Sequence, residues 1–163
     1  MNQNLEIILY KKGKRGTIYT IKYKEDEHTE LEKFIIDLPD DYKDIGAMML
    51  EGLDNMADRH GFEEQFFKLG EGNLADNVVA FGKREIRLYC LRFSTIILII
   101  GNGGYKPKDK RTYEEVPELY QKVKNLQSDL KIIDKAIKEK DLTFGDISFN
   151  EKTPIEFNIE DYE

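Results

Sequence analysis

Cysteine occurs once in the 163 residues and histidine twice. A single thiol, Cys90, excludes an internal disulfide framework. His28 and His60 show no CxxC or HExxH spacing, so neither a metal site nor any cofactor is expected. Long apolar runs are missing too. The longest, "TIILII" (Thr95–Ile100), falls far short of the roughly 18 residues that span a bilayer. The opening stretch "MNQNLEIILYKKGKRG" places its bases after a brief apolar run, the reverse of a secretory signal, and the expected location is the cytoplasm. Nucleotide-binding loops are also lacking. "IIGNGGYKPKDKR" (Ile99–Arg111) runs a strand into three glycines, but it contains no GxxxxGK[ST] element. Gly101, Gly103 and Gly104 miss the G-x-G-x-x-G spacing as well.

What is present points to a charged globular chain. Apolar residues make up 40% and charged residues 35%, and nine Tyr with nine Phe supply bulk for a core. The length fits one domain with an appendage. Net charge is −7, yet its distribution is uneven. Lys11–Lys24 holds six bases and no acid, whereas Asp141–Glu163 holds seven acids and one base. Lys83–Arg111 holds eight bases against two acids. The pattern suits either a basic face with an acidic tail or ordinary solvated surface.

Periodicity outlines the elements. "LEIILY" and "TIYTIKY" flank "KKGKRG" and predict a hairpin. Thr29 with Glu32 predicts a capping box. Leu31, Phe34, Ile35 and Leu38 then form one helical stripe, which Pro39 ends. Asp40 or Asp41 is placed to cap a second helix carrying Ile45, Met48, Met49, Leu53 and Met56, with Gly61 as its stop. Strands follow at "EQFFKL", "NVVAF", "EIRLYCLRF" and "TIILII". In "EIRLYCLRF", Ile86, Leu88 and Cys90 point one way and Arg87, Tyr89 and Leu91 the other. Thr112 and Glu115 offer another capping box. Leu119, Val123, Leu126, Leu130, Ile133 and Ile137 form a heptad seam on one long helix, which suits packing on the chain's own sheet or pairing in a homodimer. The acidic segment alternates at Ile155, Phe157 and Ile159, as expected of an extra strand or of a tail lying over the basic loop in place of a partner strand.

The basic residues of Lys83–Arg111 suit a phosphodiester, with Tyr105 and Tyr113 able to stack on bases. Metal-free RNA cleavage needs a base for the 2′-OH, cations for the phosphorane and an acid for the leaving oxygen. Lys, Arg and Tyr can supply all three.

Strand, two amphipathic helices, consecutive strands and a helix is the layout of a known family. With "FKLGEG", "EIRLYCLRF" and "TIILIIGNGGYKPKDKR" at the matching places, the chain resembles the RelE/ParE/HigB superfamily of bacterial type II toxins from about Thr17 to Leu126. The resemblance implies an α+β fold: a small, antiparallel-rich twisted sheet, two N-terminal helices packed on it and a long C-terminal helix. To this are added an extra N-terminal strand and a C-terminal tail. It divides the chain into a toxin domain over 1–140 and an acidic tail over 141–163. It implies a ribosome-dependent mRNA endonuclease neutralised by a cognate, helix-turn-helix antitoxin. The implied catalytic residues are Arg87, Lys106 and Tyr113, with Lys83, Arg84, Arg92, Lys108, Lys110 and Arg111 binding RNA phosphate. One departure stands out. RelE-type members carry lysines on the strand that here reads "NVVAF", which has none. That leaves room for a ParE-like gyrase inhibitor or a non-catalytic binding module on the same scaffold.

Overall fold

The computed structural model describes residues 4–162. The basic hexapeptide "KKGKRG" turns a hairpin between β1 (Leu5–Lys12) and β2 (Thr17–Tyr23), which pair antiparallel. Helix α1 (Glu30–Asp37) opens on the predicted capping box, where Thr29 and Glu32 exchange side-chain and backbone hydrogen bonds. Pro39 follows its end. Asp40 and Asp41 do not cap the next helix: they sit in a 3₁₀ turn, and α2 (Lys43–Asn55) starts without a side-chain cap. α2 continues into a π-helical turn over Met56–His60, and Gly61 ends it at φ 77°, a conformation that favours glycine.

Four strands then run in sequence: β3 (Lys68–Asn73), β4 (Val78–Lys83), β5 (Ile86–Arg92) and β6 (Ile97–Tyr105). They pair antiparallel to their neighbours, and β6 lies parallel to β2. The long helix α3 (Pro117–Lys138) carries proline at its first turn, where the missing amide costs nothing. The Thr112–Glu115 box is present but serves a 3₁₀ turn ahead of it. A last short strand, β7 (Ile155–Phe157), pairs with β1. The result is a mixed α+β fold with a seven-stranded, mostly antiparallel sheet in the order β3-β4-β5-β6-β2-β1-β7.

The sheet is covered on both faces. Ile18, Ile86, Leu88, Cys90, Leu98 and Ile100 pack under α1 and α2, while Tyr19, Ile21, Tyr89, Leu91, Ile97 and Ile99 pack under α3. This is why Ile97–Ile100 of "TIILII" are all apolar: both faces of the strand are buried there. Cys90 is a small buried hydrophobe whose thiol is pushed up by burial.

Two alternatives left open by the sequence are decided by burial and strand pairing. The heptad seam is filled from within the chain. Leu119, Val123, Leu126, Leu130 and Ile133 are buried on the sheet and Ile137 packs beside them, so these side chains take the packing on the chain's own sheet. A seam on a flat sheet has the same 4,3 spacing as one on a partner helix. The acidic segment does not lie over the basic loop. It contributes Leu142, Phe149, Ile155 and Phe157 to the core and lengthens the sheet beyond β1, at the far edge from β3. Met48, assigned to the α2 stripe, is exposed. No helix among the described residues is long and apolar enough to cross a membrane.

Candidate functional site

The β4–β5 hairpin closes with Lys83 opposite Ile86, leaving Arg84 and Glu85 as a two-residue loop. Arg84 takes φ 53°, a left-handed conformation that costs a non-glycine residue about 1–2 kcal/mol. Two contacts hold it there. Its carbonyl accepts a hydrogen bond from Arg87 Nη1 at 2.5 Å, and its guanidinium lies 5.3 Å from the centre of the Tyr42 ring.

Arg87 lies between two glycines, opposite Gly82 on β4 and Gly104 on β6. A Cβ on Gly82 would stand 2.8 Å from Arg87 Cδ and Nη1. The missing side chain is therefore the space in which the guanidinium lies. Nε donates to Glu71 Oε1 at 2.8 Å, and Nη2 reaches Glu71 Oε2 at 3.5 Å. Lys106, just past β6, places Nζ 3.6 Å from the same Glu71 Oε1 and donates to the Lys110 carbonyl. Both cationic side chains are nearly buried, at 9% and 7% exposure, and one carboxylate serves both. Buried charges persist only when paired in this way.

An outer layer completes the pocket. Glu85 stands 3.3 Å from Lys108 Nζ and 3.7 Å from Arg84 Nε, and accepts a hydrogen bond from the Tyr42 hydroxyl. Burial works against its ionisation, but Lys108 and Tyr42 outweigh it and hold the carboxyl below the usual range. Arg84 and Lys108 expose 59% and 86% of their side chains. Arg84, Glu85, Arg87, Lys106 and Lys108 line a pocket of 370 Å³. With Glu71 behind it, the pocket holds four cations against two carboxylates, a surface suited to an anion.

The remaining expected residues are placed differently. Tyr113 does not line the pocket. It is buried under α3, its ring edge-on to Tyr89 at 5.8 Å and beside Tyr120 at 6.3 Å. Tyr89 is fully buried and its hydroxyl has no hydrogen-bond partner among the described residues. Burial, then the negative charge of Glu71, pushes that hydroxyl up. Arg92 lies five residues along β5 from Arg87, about 17 Å away at the strand's rise and on the opposite face. There it donates to the Phe62 carbonyl at 2.7 Å and pairs with Glu64. Lys83 is exposed at the end of β4, and Arg111 is exposed beyond the pocket with its amide on Glu115. Lys110 contributes its carbonyl to Lys106. Of the second basic window, Lys11–Lys24, the part from Lys11 to Arg15 sits at the other end of the sheet, beside Ala57 and Ile96, and Lys22 pairs with Glu6 on β1.

Glu71 carries no signal in the sequence. It is a lone acid between two glycines on an edge strand, and only the pairing of β3 with β4 brings it to Arg87.

Comparison of the chain with protein-family profiles, with curated proteins and with solved structures gave no match.

Proposed function

We propose that the chain is a toxin of the RelE/ParE/HigB type that acts on RNA, with the pocket of Arg84, Arg87, Lys106 and Lys108 as its phosphodiester-binding surface. One observation carries the reading: Arg87 and Lys106, from adjacent strands, meet at a single carboxylate inside a concave, cation-rich pocket. The element order supports it as well, with β2, two helices, consecutive strands and α3 following the layout of that superfamily. In such a reaction the 2′-oxygen loses its proton and attacks phosphorus, and the 5′-oxygen leaves with a proton. Arg87 and Lys106 offset the charge that accumulates on the phosphorane.

Induced expression in a bacterial host should arrest growth and cut ribosome-bound mRNA, and Arg87→Ala should relieve both. If the wild-type protein neither slows growth nor cuts mRNA, the catalytic reading is wrong. A cognate antitoxin, supplied in trans, should restore growth.

A second reading has its own observation. Arg87 and Lys106 are nearly buried and Tyr113 is committed to the core, which favours binding without cleavage. In that case the purified protein binds single-stranded RNA and leaves it intact.

Arg84 separates charge from scaffold. Arg84→Gly exchanges a strained residue for one at ease in the left-handed region, so unfolding free energy should stay within about 1 kcal/mol of wild type. RNA affinity should fall, and the slope of log K against log salt should shrink by about 0.7, the value for one lost contact to a single strand. Salt titrations monitored by fluorescence anisotropy read both quantities.

A further inference from the structure

We infer that Glu71 is a built-in competitor for the RNA phosphate: it fills the Arg87–Lys106 cation pair in the free protein and is displaced when a phosphodiester enters. The inference rests on the reading of this pocket as an RNA-phosphate surface.

Geometry is the first support. One oxygen of Glu71 lies between two cations, 2.8 Å from Arg87 Nε and 3.6 Å from Lys106 Nζ, while its second oxygen faces Arg87 Nη2. Arg binds carboxylate and phosphate by the same two-pronged geometry, so a non-bridging phosphate oxygen fits where Glu71 Oε1 now sits. Both anions cannot occupy that position.

The second support is the mounting of the carboxylate. β3 is an edge strand, paired to β4 only at Lys68–Ala80 and Asn73–Val78, with an irregularity between those positions. Glu71 lies within the irregular part. Its withdrawal therefore breaks no regular ladder pair, unlike a movement of Arg87 or Lys106.

The outer cations give the exchange an order. Arg84 and Lys108 are exposed and meet the incoming backbone first, and the inner pair is reached only as Glu71 leaves. The pocket then discriminates. Weak single anions do not displace a tethered carboxylate, whereas a polyanion held by several contacts does.

The test is equilibrium binding of a mixed-sequence single-stranded oligoribonucleotide, at low salt, to wild type and to Glu71→Gln. The variant should bind at least about tenfold tighter, because it presents the same cations without the competing charge. Equal or weaker binding by the variant would overturn the role of Glu71 and leave the RNA surface standing. Failure of both proteins to bind would remove the RNA reading and this inference together. Wild type alone supplies the second measurement, which holds even if the variant does not fold. Amides of Lys68–Asn73 should exchange with solvent severalfold faster in saturating RNA, as the Glu71 anchor is released. Unchanged or greater protection there would exclude displacement.

Discussion

Gly103→Ala should cost the fold about 3 kcal/mol or more, the largest loss expected from adding one carbon anywhere in the glycine-rich strand. The Cβ would fall 1.9 Å from the Arg87 carbonyl oxygen, 2.8 Å from its carbon and 2.9 Å from Leu88 Cα. All three are backbone atoms of the adjacent strand, and Leu88 is the residue that pairs with Gly103. No side chain can rotate out of the way. Relief requires β5 and β6 to separate where both faces of the sheet are buried, under α3 on one side and α1 on the other. Lys122 adds to the constraint, since its ammonium donates to the Gly103 carbonyl at 2.6 Å. For a chain of this length, 3 kcal/mol corresponds to a drop in Tm of roughly 6–12 °C. Gly70→Ala is the control, because nothing lies within 4 Å of its added carbon. It should unfold within about 0.5 kcal/mol of wild type. Equal urea midpoints for the two variants would contradict this close approach of β5 and β6. Gly103 of "GNGG" therefore acts on strand spacing, and the buried cation pair belongs to Arg87 and Lys106 beside it.

That division explains what the sequence could disclose. Period-2 alternation places Arg87, Tyr89 and Leu91 on one face of β5, and the structure agrees. The capping box at Thr29, the stop at Pro39 and the hairpin around "KKGKRG" are local chemistry, readable within a few residues. Arg87 and Lys106 meet because β5 and β6 are consecutive and antiparallel, which short-range signals also favour. The rest depends on partners distant in sequence. Glu71 reaches Arg87 only through β4, and Arg92 leaves the group because strand rise carries it to the opposite end. Tyr113 is near in sequence to the basic loop, but Tyr89 and Tyr120 draw its ring into the core. The α3 seam has a spacing that fits a sheet or a helix equally, and burial decides between them.

Asp129→Asn should stabilise the protein at pH 8 by as much as about 4 kcal/mol while changing little at pH 4. Asp129 lies on the sheet side of α3 at 3% exposure, and its Oδ2 accepts the Tyr23 hydroxyl at 2.5 Å. Glu30, at the start of α1, adds a second buried carboxylate to this corner and is approached by Asn102 Nδ2 at 3.5 Å. Burial is the largest influence on Asp129 and raises its carboxyl. The Tyr23 hydrogen bond lowers it and the Glu30 charge raises it again, leaving it pushed up to about 7. An unfolded aspartate ionises near 3.9. Between those values the folded state holds a proton that the unfolded state has released, so stability falls as pH rises from about 4 to 7 and is level above. Below pH 4 both states are protonated and the group contributes no penalty. Asparagine keeps an oxygen for the Tyr23 hydroxyl and never ionises, so the variant escapes the loss. Other carboxylates, such as Glu115, held low by the Arg111 and Thr112 amides, give the opposite pH dependence. The informative quantity is therefore the difference between variant and wild type, read from urea unfolding at pH 4, 6 and 8. It should grow across that range by about the amount that three pKa units represent. A difference that does not change with pH would mean that Asp129 is ionised in the folded protein, its charge met by more than the Tyr23 hydroxyl.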